Sequence, residues 1–328
     1  MSQIHQLQKD QLLIMSYLPM YYPLHQRLAL QTIALKKTIK KLKKMNLLTT
    51  LSKVKKKPRL YIGLPPELYF IIGLIEKHTN VSEQNIILCL MRIKLNRTFS
   101  QLADDFDLSL SQASNVFFNK LPEIANVIVP LVRQFSAKTI KINLPMPFRC
   151  KYNQLICIID CLEIEIQKPK KAMYQSLTWS EYKKTNTIKY LVACTPDGLV
   201  SFISNGYAGR ISDVNLVENS KFLDSLPPNA CVLADRGFKH LEHHLSLKGF
   251  TLIRPPSVSS DCKLSKAEAR QTKEIASLRI HVERVIRRLR EFGMLKMHTV
   301  VNLNLIGMLD LCIKTACALI NLQDSLIK

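Results

Sequence analysis

The sequence predicts an α/β layer fold, a mixed sheet flanked by helices, preceded by an all-α region with a helix-turn-helix. Three observations carry this expectation. Short β-branched apolar runs bounded by turn residues cluster after residue 150. Apolar residues at helical spacing fill residues 65–135 and return after residue 266. Between the two kinds of segment lies an irregular stretch, 136–150, with Pro145 and Pro147. A chain of 328 residues has room for two or three domains and a sizeable core.

Charge narrows the partner. Forty-seven Lys and Arg against 25 Asp and Glu give a net +22. Such an excess suits a polyanion, with nucleic acid the commonest and an acidic membrane surface the rival. No run of about 18 apolar residues is present, so no membrane span is expected. The first residues, MSQIHQLQKDQLL, are too polar for a secretory signal. Nine cysteines are scattered without a CxxC pair, which suits reduced, buried thiols and gives a zinc site little support.

Residues 1–60 hold thirteen Lys or Arg and one acid, Asp10. Within them LALQTIALKKTIKKLKKMNLL (28–48) reads as a basic amphipathic helix. The run KVKKKPR (53–59) matches a nuclear import signal, and hence a nuclear location, or a phosphate-binding arm; a plain solvated charge run gives the same string. Residues 61–135 form the helical region. Pro65 and Pro66 open one helix, where a missing N–H costs little, and a second spans about 82–95. Ser100 is placed to cap QLADDF, Asp107 to Ser109 form a tight turn, and Ser109 or Ser111 can cap SQASNVFFNKL. This is a helix-turn-helix layout whose second helix offers Ser111, Gln112 and Asn115 to DNA, although an ordinary helical hairpin has the same pattern. Residues 136–150 read as a linker.

From residue 151 to 328 the chain changes character. LICIID (155–160) and VLAD (232–235) are short buried strands. YLVACT (190–195) and VSFIS (200–204), joined across Asp-Gly, form a hairpin. FTLIRPP (250–256) is a further strand, followed by a long helix over 266–292 and an apolar helix over 302–322.

LICIID and VLAD both end in Asp. If the strands are parallel and adjacent, Asp160 and Asp235 share the sheet edge where α/β sites are built. Two carboxylates held close repel unless a cation lies between them, and Mg²⁺ or Mn²⁺ takes such oxygen ligands. Glu283 is the third candidate, with Arg279 and Arg287 one turn away on either side. An Arg-paired surface Glu, a helix-capping Asp235 and an exposed strand-end Asp160 are the purely structural readings of the same residues. Asp213 either caps the helix after GRISD or supports the carboxylates. Trp179 either packs or stacks on a base. Lys183, Lys184 and Lys189 can meet DNA phosphates or simply lie exposed.

The strings IIDCLEI (158–164), QSLTWSEYKKTNTIKYL (175–191), SFISNGYAGRISDVNLVENS (201–220), VLADRGF (232–238) and IASLRIHVERVIRRLR (275–290) resemble, in that order, the DDE transposase domain of the Harbinger-like superfamily. The resemblance is greatest to its animal branch often found with a THAP zinc finger, and LNRTFSQLADDF resembles the helix-turn-helix that precedes this domain. It covers roughly residues 60–325. The resemblance implies an RNase H-like core and an Asp160, Asp235, Glu283 triad that holds the metal ions and cuts DNA. Related transposases carry a Tyr, Arg, Glu, Lys signature around the Glu. Here the Tyr position is Ala276, the Arg is Arg279 and the Lys position is Arg290. No Cys-x-Cys-His finger precedes the helix-turn-helix. The expected function is thus a two-metal DNA nuclease, with a domesticated DNA-binding or adaptor protein that no longer cuts as the alternative. The resemblance also implies a homo-oligomer that pairs two DNA ends.

Overall fold

The computed structural model describes residues 28–29, 31–38, 45–149, 151–256, 265–324 and 326. The basic helix expected over 28–48 lies only partly within them: residues 31–38 are helical and exposed, and residues 39–44 fall outside. Helix α1 (residues 45–56) runs into α2 (Pro58–Ile62). Val54 and Pro58 are buried there while Lys53, Lys55, Lys56 and Lys57 face solvent, so the KVKKKPR run is a helix end pinned by two apolar residues.

Pro66 opens only a single 3₁₀ turn, Pro66–Leu68, followed by α3 (Ile71–Thr79). Helix α4 (Glu83–Leu95) is buried from Ile86 to Lys94, which makes it the centre of the helical region. Its buried cations are covered by rings: the Arg92 guanidinium lies 5.2 Å from the Phe99 centroid and Lys94 Nζ 4.5 Å from that of Phe292.

The helix-turn-helix consists of α5 (Phe99–Phe106) and α6 (Leu110–Ile128). Thr98, not Ser100, caps α5. Its hydroxyl accepts from the Gln101 N–H while the Gln101 side chain accepts from the Thr98 N–H. The cap lies two residues earlier in the chain than expected, and it is chosen by the Gln three positions on. Asp107 turns the chain at φ 54° and Ser109, with Gln112, makes a second capping box for α6.

Of the expected linker, 136–150, the described residues 136–149 are more ordered than a linker. Ser136 caps α7 (Ala137–Ile142), and α8 (Met146–Arg149) follows Pro145. Ile140 and Phe148 are buried in the cores on opposite faces of the sheet, so this stretch is packed, not spanning.

The sheet comprises β1 (Leu155–Glu165), β2 (Trp179–Ser180), β3 (Thr185–Cys194), β4 (Val200–Ile203), β5 (Tyr207–Ala208), β6 (Cys231–Leu233) and β7 (Thr251–Ile253). Its spine runs β2-β3-β1-β6-β7, with β4 and β5 also on β3. Strands β1 and β3 are antiparallel, β1 and β6 parallel, β6 and β7 parallel. This is the mixed, RNase H-like α/β sheet behind a helical region that the sequence predicts.

Alternation along β1 builds two cores. Leu155, Ile158, Leu162 and Ile164 face α13 (Lys266–Leu289), α14 (Ile306–Asn321), α4 and α6. Ile156, Cys157 and Ile159 face α10 (Asp213–Asn219), α11 (Phe222–Ser225) and α12 (Leu241–Leu247). A register shift between Leu155 and Cys157 accounts for two consecutive residues on one face. Residues 303–321 are long and apolar enough to cross a membrane, but most of α14 is buried between the sheet and the helical region, and its Asp310 and Lys314 bond to Tyr190 and Asn205. The seven described cysteines are free thiols.

Candidate active site

Strand β1 does not stop at Asp160. It continues to Glu165, because Leu162 and Ile164 keep the inward alternation going past the carboxylate. Asp160 therefore sits mid-strand. It nonetheless lies beside Asp235: Ile158 pairs with Leu233, and the parallel register carries two residues on to Asp160 and Asp235. The parallel adjacency expected from LICIID and VLAD is present.

VLADRGF turns sharply at Asp235 because the carboxylate caps the turn Arg236–Phe238, with Asp235 Oδ1 accepting from the Arg236 N–H at 2.5 Å. Capping uses one lone pair of one oxygen. The same residue lines a cleft of about 720 Å³ together with Asp160, Glu283, Arg279, Asp213 and Lys189. Glu283 reaches the cleft from the middle of α13, a helix started by the Ser265–Glu268 capping box.

Arg279 ties this group together. Its Nη1 donates to Asp235 Oδ1 at 2.9 Å and its Nη2 stands 3.8 Å from Glu283 Oε1. Asp160 is the most enclosed of the three acids. Burial pushes its carboxyl up to about 6, the charges of Asp235 and Glu283 push the same way, and the Cys161 N–H bond at 2.7 Å and Arg279 oppose them. Carboxylate oxygens are the donor type that Mg²⁺ and Mn²⁺ take, and Asp160 is short of positive charge, so the residues fit such an ion in kind. Among the described residues no three Asp, Glu, His or Cys side chains stand together at ligating spacing. Arg279 instead supplies the cation beside Asp235 Oδ1 and Glu283 Oε1.

Behind Asp160 is a second charged group. Lys189 donates to Asp213 Oδ1 at 2.9 Å and stands 3.8 Å from Glu163 Oε1, with only 12% of its side chain exposed. Cys161 Sγ donates to Asp213 at 3.2 Å and Thr187 Oγ1 to Glu163 at 2.9 Å. Burial works to lower the Lys189 ammonium, but Asp213, Cys161 and Glu163 together hold it above the ordinary lysine value. Asp213 is not the cap of α10; Ser212 is. Lys189, expected to meet DNA phosphates or simply to lie exposed, is here the buried counter-ion of two acids. Glu163 is absent from the sequence reading, although the period-two alternation that places Cys161 on one face of β1 places Glu163 on it too.

Arg290 touches the cleft, but its guanidinium donates to the Leu295 and Glu163 carbonyls at 2.8 and 2.7 Å, which joins α13 to β1. Arg287, Lys183 and Tyr182 line the cleft rim, and Lys184 pairs with Glu181 at 2.9 Å. Ala276 is exposed on α13. On α6, Ser111, Gln112 and Asn115 are exposed in the first turns, with the Gln112 carbonyl taken up by the Ser109 N–H at 2.8 Å.

A mixed sheet with three acids in one cleft, behind a helix-turn-helix, defines a class. Residues 159–321 match the family described as DDE superfamily endonuclease, and residues 81–127 match helix-turn-helix of DDE superfamily endonuclease. The chain thus carries a DDE superfamily endonuclease domain behind its helix-turn-helix. It is also similar, at 29% identity over 220 residues, to a protein of Microchaete diplosiphon described as probable transposase for insertion sequence element IS702; the match covers 66% of this chain and 72% of the relative. No solved structure matches the chain.

Proposed function

We propose that this protein cuts DNA phosphodiester bonds by a two-metal mechanism, with Asp160, Asp235 and Glu283 as the metal-holding triad. One observation carries the reading: two register-matched strands and a helix bring three carboxylates into one cleft rimmed by Lys183 and Arg287. These carboxylates would hold Mg²⁺ or Mn²⁺, which when bound would supply positive charge for the nucleophile and for the leaving oxygen. The chain's own part is to position and to balance charge. Asp160, the most enclosed of the three, feels the charge of both other acids. Arg279, released from Asp235 and Glu283, is free to meet a phosphate in their place. Lys183 and Arg287 hold the DNA backbone, and α6 meets the duplex through Ser111, Gln112 and Asn115.

Supercoiled plasmid with Mg²⁺, incubated with the wild type and with Asp160→Ala and Glu283→Ala, tests this. Nicking by the wild type alone supports it, and equal nicking by all three removes it. The order of the quoted motif strings supports a Harbinger-like branch, and the exposed lysines of 53–57 support a nuclear location; imaging the tagged protein with and without those lysines tests the latter.

A second reading, a DNA-binding or adaptor protein that keeps the fold without cutting, has its own support. The Arg279 bridge already supplies a cation to Asp235 and Glu283. The plasmid experiment separates the two, because both expect salt-sensitive DNA binding and only the first expects nicks.

A further inference from the structure

The β2–β3 hairpin carries two aromatic rings, Trp179 and Tyr182, that the acidic triad does not use. Tyr182, at its tip, is 84% exposed, and Lys183 Nζ lies 5.1 Å from its ring centroid. Both residues line the acidic cleft. Three residues earlier, Trp179 lines a separate hollow of about 360 Å³ with Lys168, Gln175, Ser176 and Asn186. The indole N–H donates to Glu181 Oε1 at 3.0 Å, and Glu181 is held by Lys184 at 2.9 Å. The one polar group of the ring is therefore satisfied and its orientation fixed, so ordering it on a ligand costs little.

The surroundings say what kind of ligand fits. Residues 168–184 carry five lysines and one acid. Arg210, bonded to Ser176 at 2.8 Å, adds another cation beside the hollow. Exposed aromatic faces among cations suit a polyanion that also presents flat apolar rings. An unpaired nucleic acid strand does so, whereas an intact duplex keeps its base faces stacked inside. An apolar protein partner would leave the lysines unpaired.

We propose that the Trp179–Tyr182 hairpin is a stacking site for the unpaired strand of DNA whose backbone lies in the Asp160 cleft, with bases on Tyr182 at the rim and on Trp179 in the hollow beyond. This rests on the reading that the cleft holds DNA. Trp179 is the only tryptophan in the chain, so tryptophan emission reports this hollow alone. Full-length Asp160→Asn protein in EDTA, which keeps DNA uncut, is titrated with oligothymidylate and with a blunt duplex of equal phosphate content. The expected result is quenching by the single strand and none by the duplex. Tyr182→Ala in the same background weakens single-strand binding about tenfold and leaves duplex binding unchanged. Trp179→Phe, which keeps a ring, retains single-strand affinity. Equal quenching by both DNAs, or unchanged single-strand affinity in Tyr182→Ala, overturns the stacking site. Plasmid nicking by the wild type is read separately. Nicking without selective quenching removes the stacking site and leaves the nuclease, and selective quenching without nicking does the reverse.

Discussion

Arg279 Nη1 stands 2.9 Å from Asp235 Oδ1, which fixes the middle of α13 against the end of β6. The same guanidinium leans on Glu283 one turn later, at 3.8 Å. A single side chain thus decides how three acids share one cleft.

Removing that cation exposes their repulsion. Arg279→Ala is expected to lower stability in EDTA by under about 1 kcal/mol, since Asp235 and Glu283 are partly solvated. It is also expected to move the Asp160 carboxyl further above its value of about 6, because Arg279 opposes the rise. Mg²⁺ should then recover more melting temperature in the variant than in the wild type. Melts in EDTA and in Mg²⁺ check this, and identical recovery in both proteins would contradict it.

Asp160 gives a pH dependence. Its carboxyl titrates at about 6 folded against a usual 3.8, so folding takes up a proton between those values. The stability it contributes is fully present below 3.8 and is lost as pH rises through about 6. Asp160→Asn should therefore be more stable than the wild type at neutral pH by up to about 3 kcal/mol in EDTA. The gain should vanish in acid. Denaturant titrations across this range measure the difference, and a variant less stable than wild type at neutral pH contradicts the placement of Asp160.

The pair beneath the cleft is structural first. Lys189→Met strands Glu163, whose side chain is 7% exposed, and Asp213 without their cation. A loss of about 3 kcal/mol is expected in urea unfolding, with most of it kept by Lys189→Arg. If Lys189→Met unfolds like the wild type and only DNA affinity drops, Lys189 is a phosphate contact instead.

The helix-turn-helix separates stability from binding. Ser109→Ala removes the cap of α6 and should cost about 1 kcal/mol. Asn115→Ala, on an exposed position, should leave the melt unchanged and weaken duplex binding about tenfold at fixed salt if Asn115 reads a base. Anisotropy titrations read this directly.

Much of this arrangement was legible in the chain. VLAD and LICIID both end in Asp, which places Asp160 and Asp235 side by side once the strands are parallel. The end of β1 was not legible, because DCLEIE mixes three acids with three apolar residues. A mid-strand carboxylate reads as a terminus unless the inward set Leu162 and Ile164 is followed through it. Pro145 and Pro147 suggest a linker, yet Ile140 and Phe148 make 136–149 part of two cores. Ser100 competes with Thr98 for the α5 cap, and only the partner Gln101 decides between them. The Arg279–Asp235 and Lys189–Glu163 pairs join residues far apart in the chain, and no local pattern specifies which cation meets which acid.

The most direct test is nicking of supercoiled plasmid in Mg²⁺ by full-length wild type, Asp160→Asn, Asp235→Ala and Glu283→Ala, each first shown to be folded. The account predicts nicked circles from the wild type and none above buffer from any of the three variants. Nicking that survives in a folded variant of any one of these acids would contradict it.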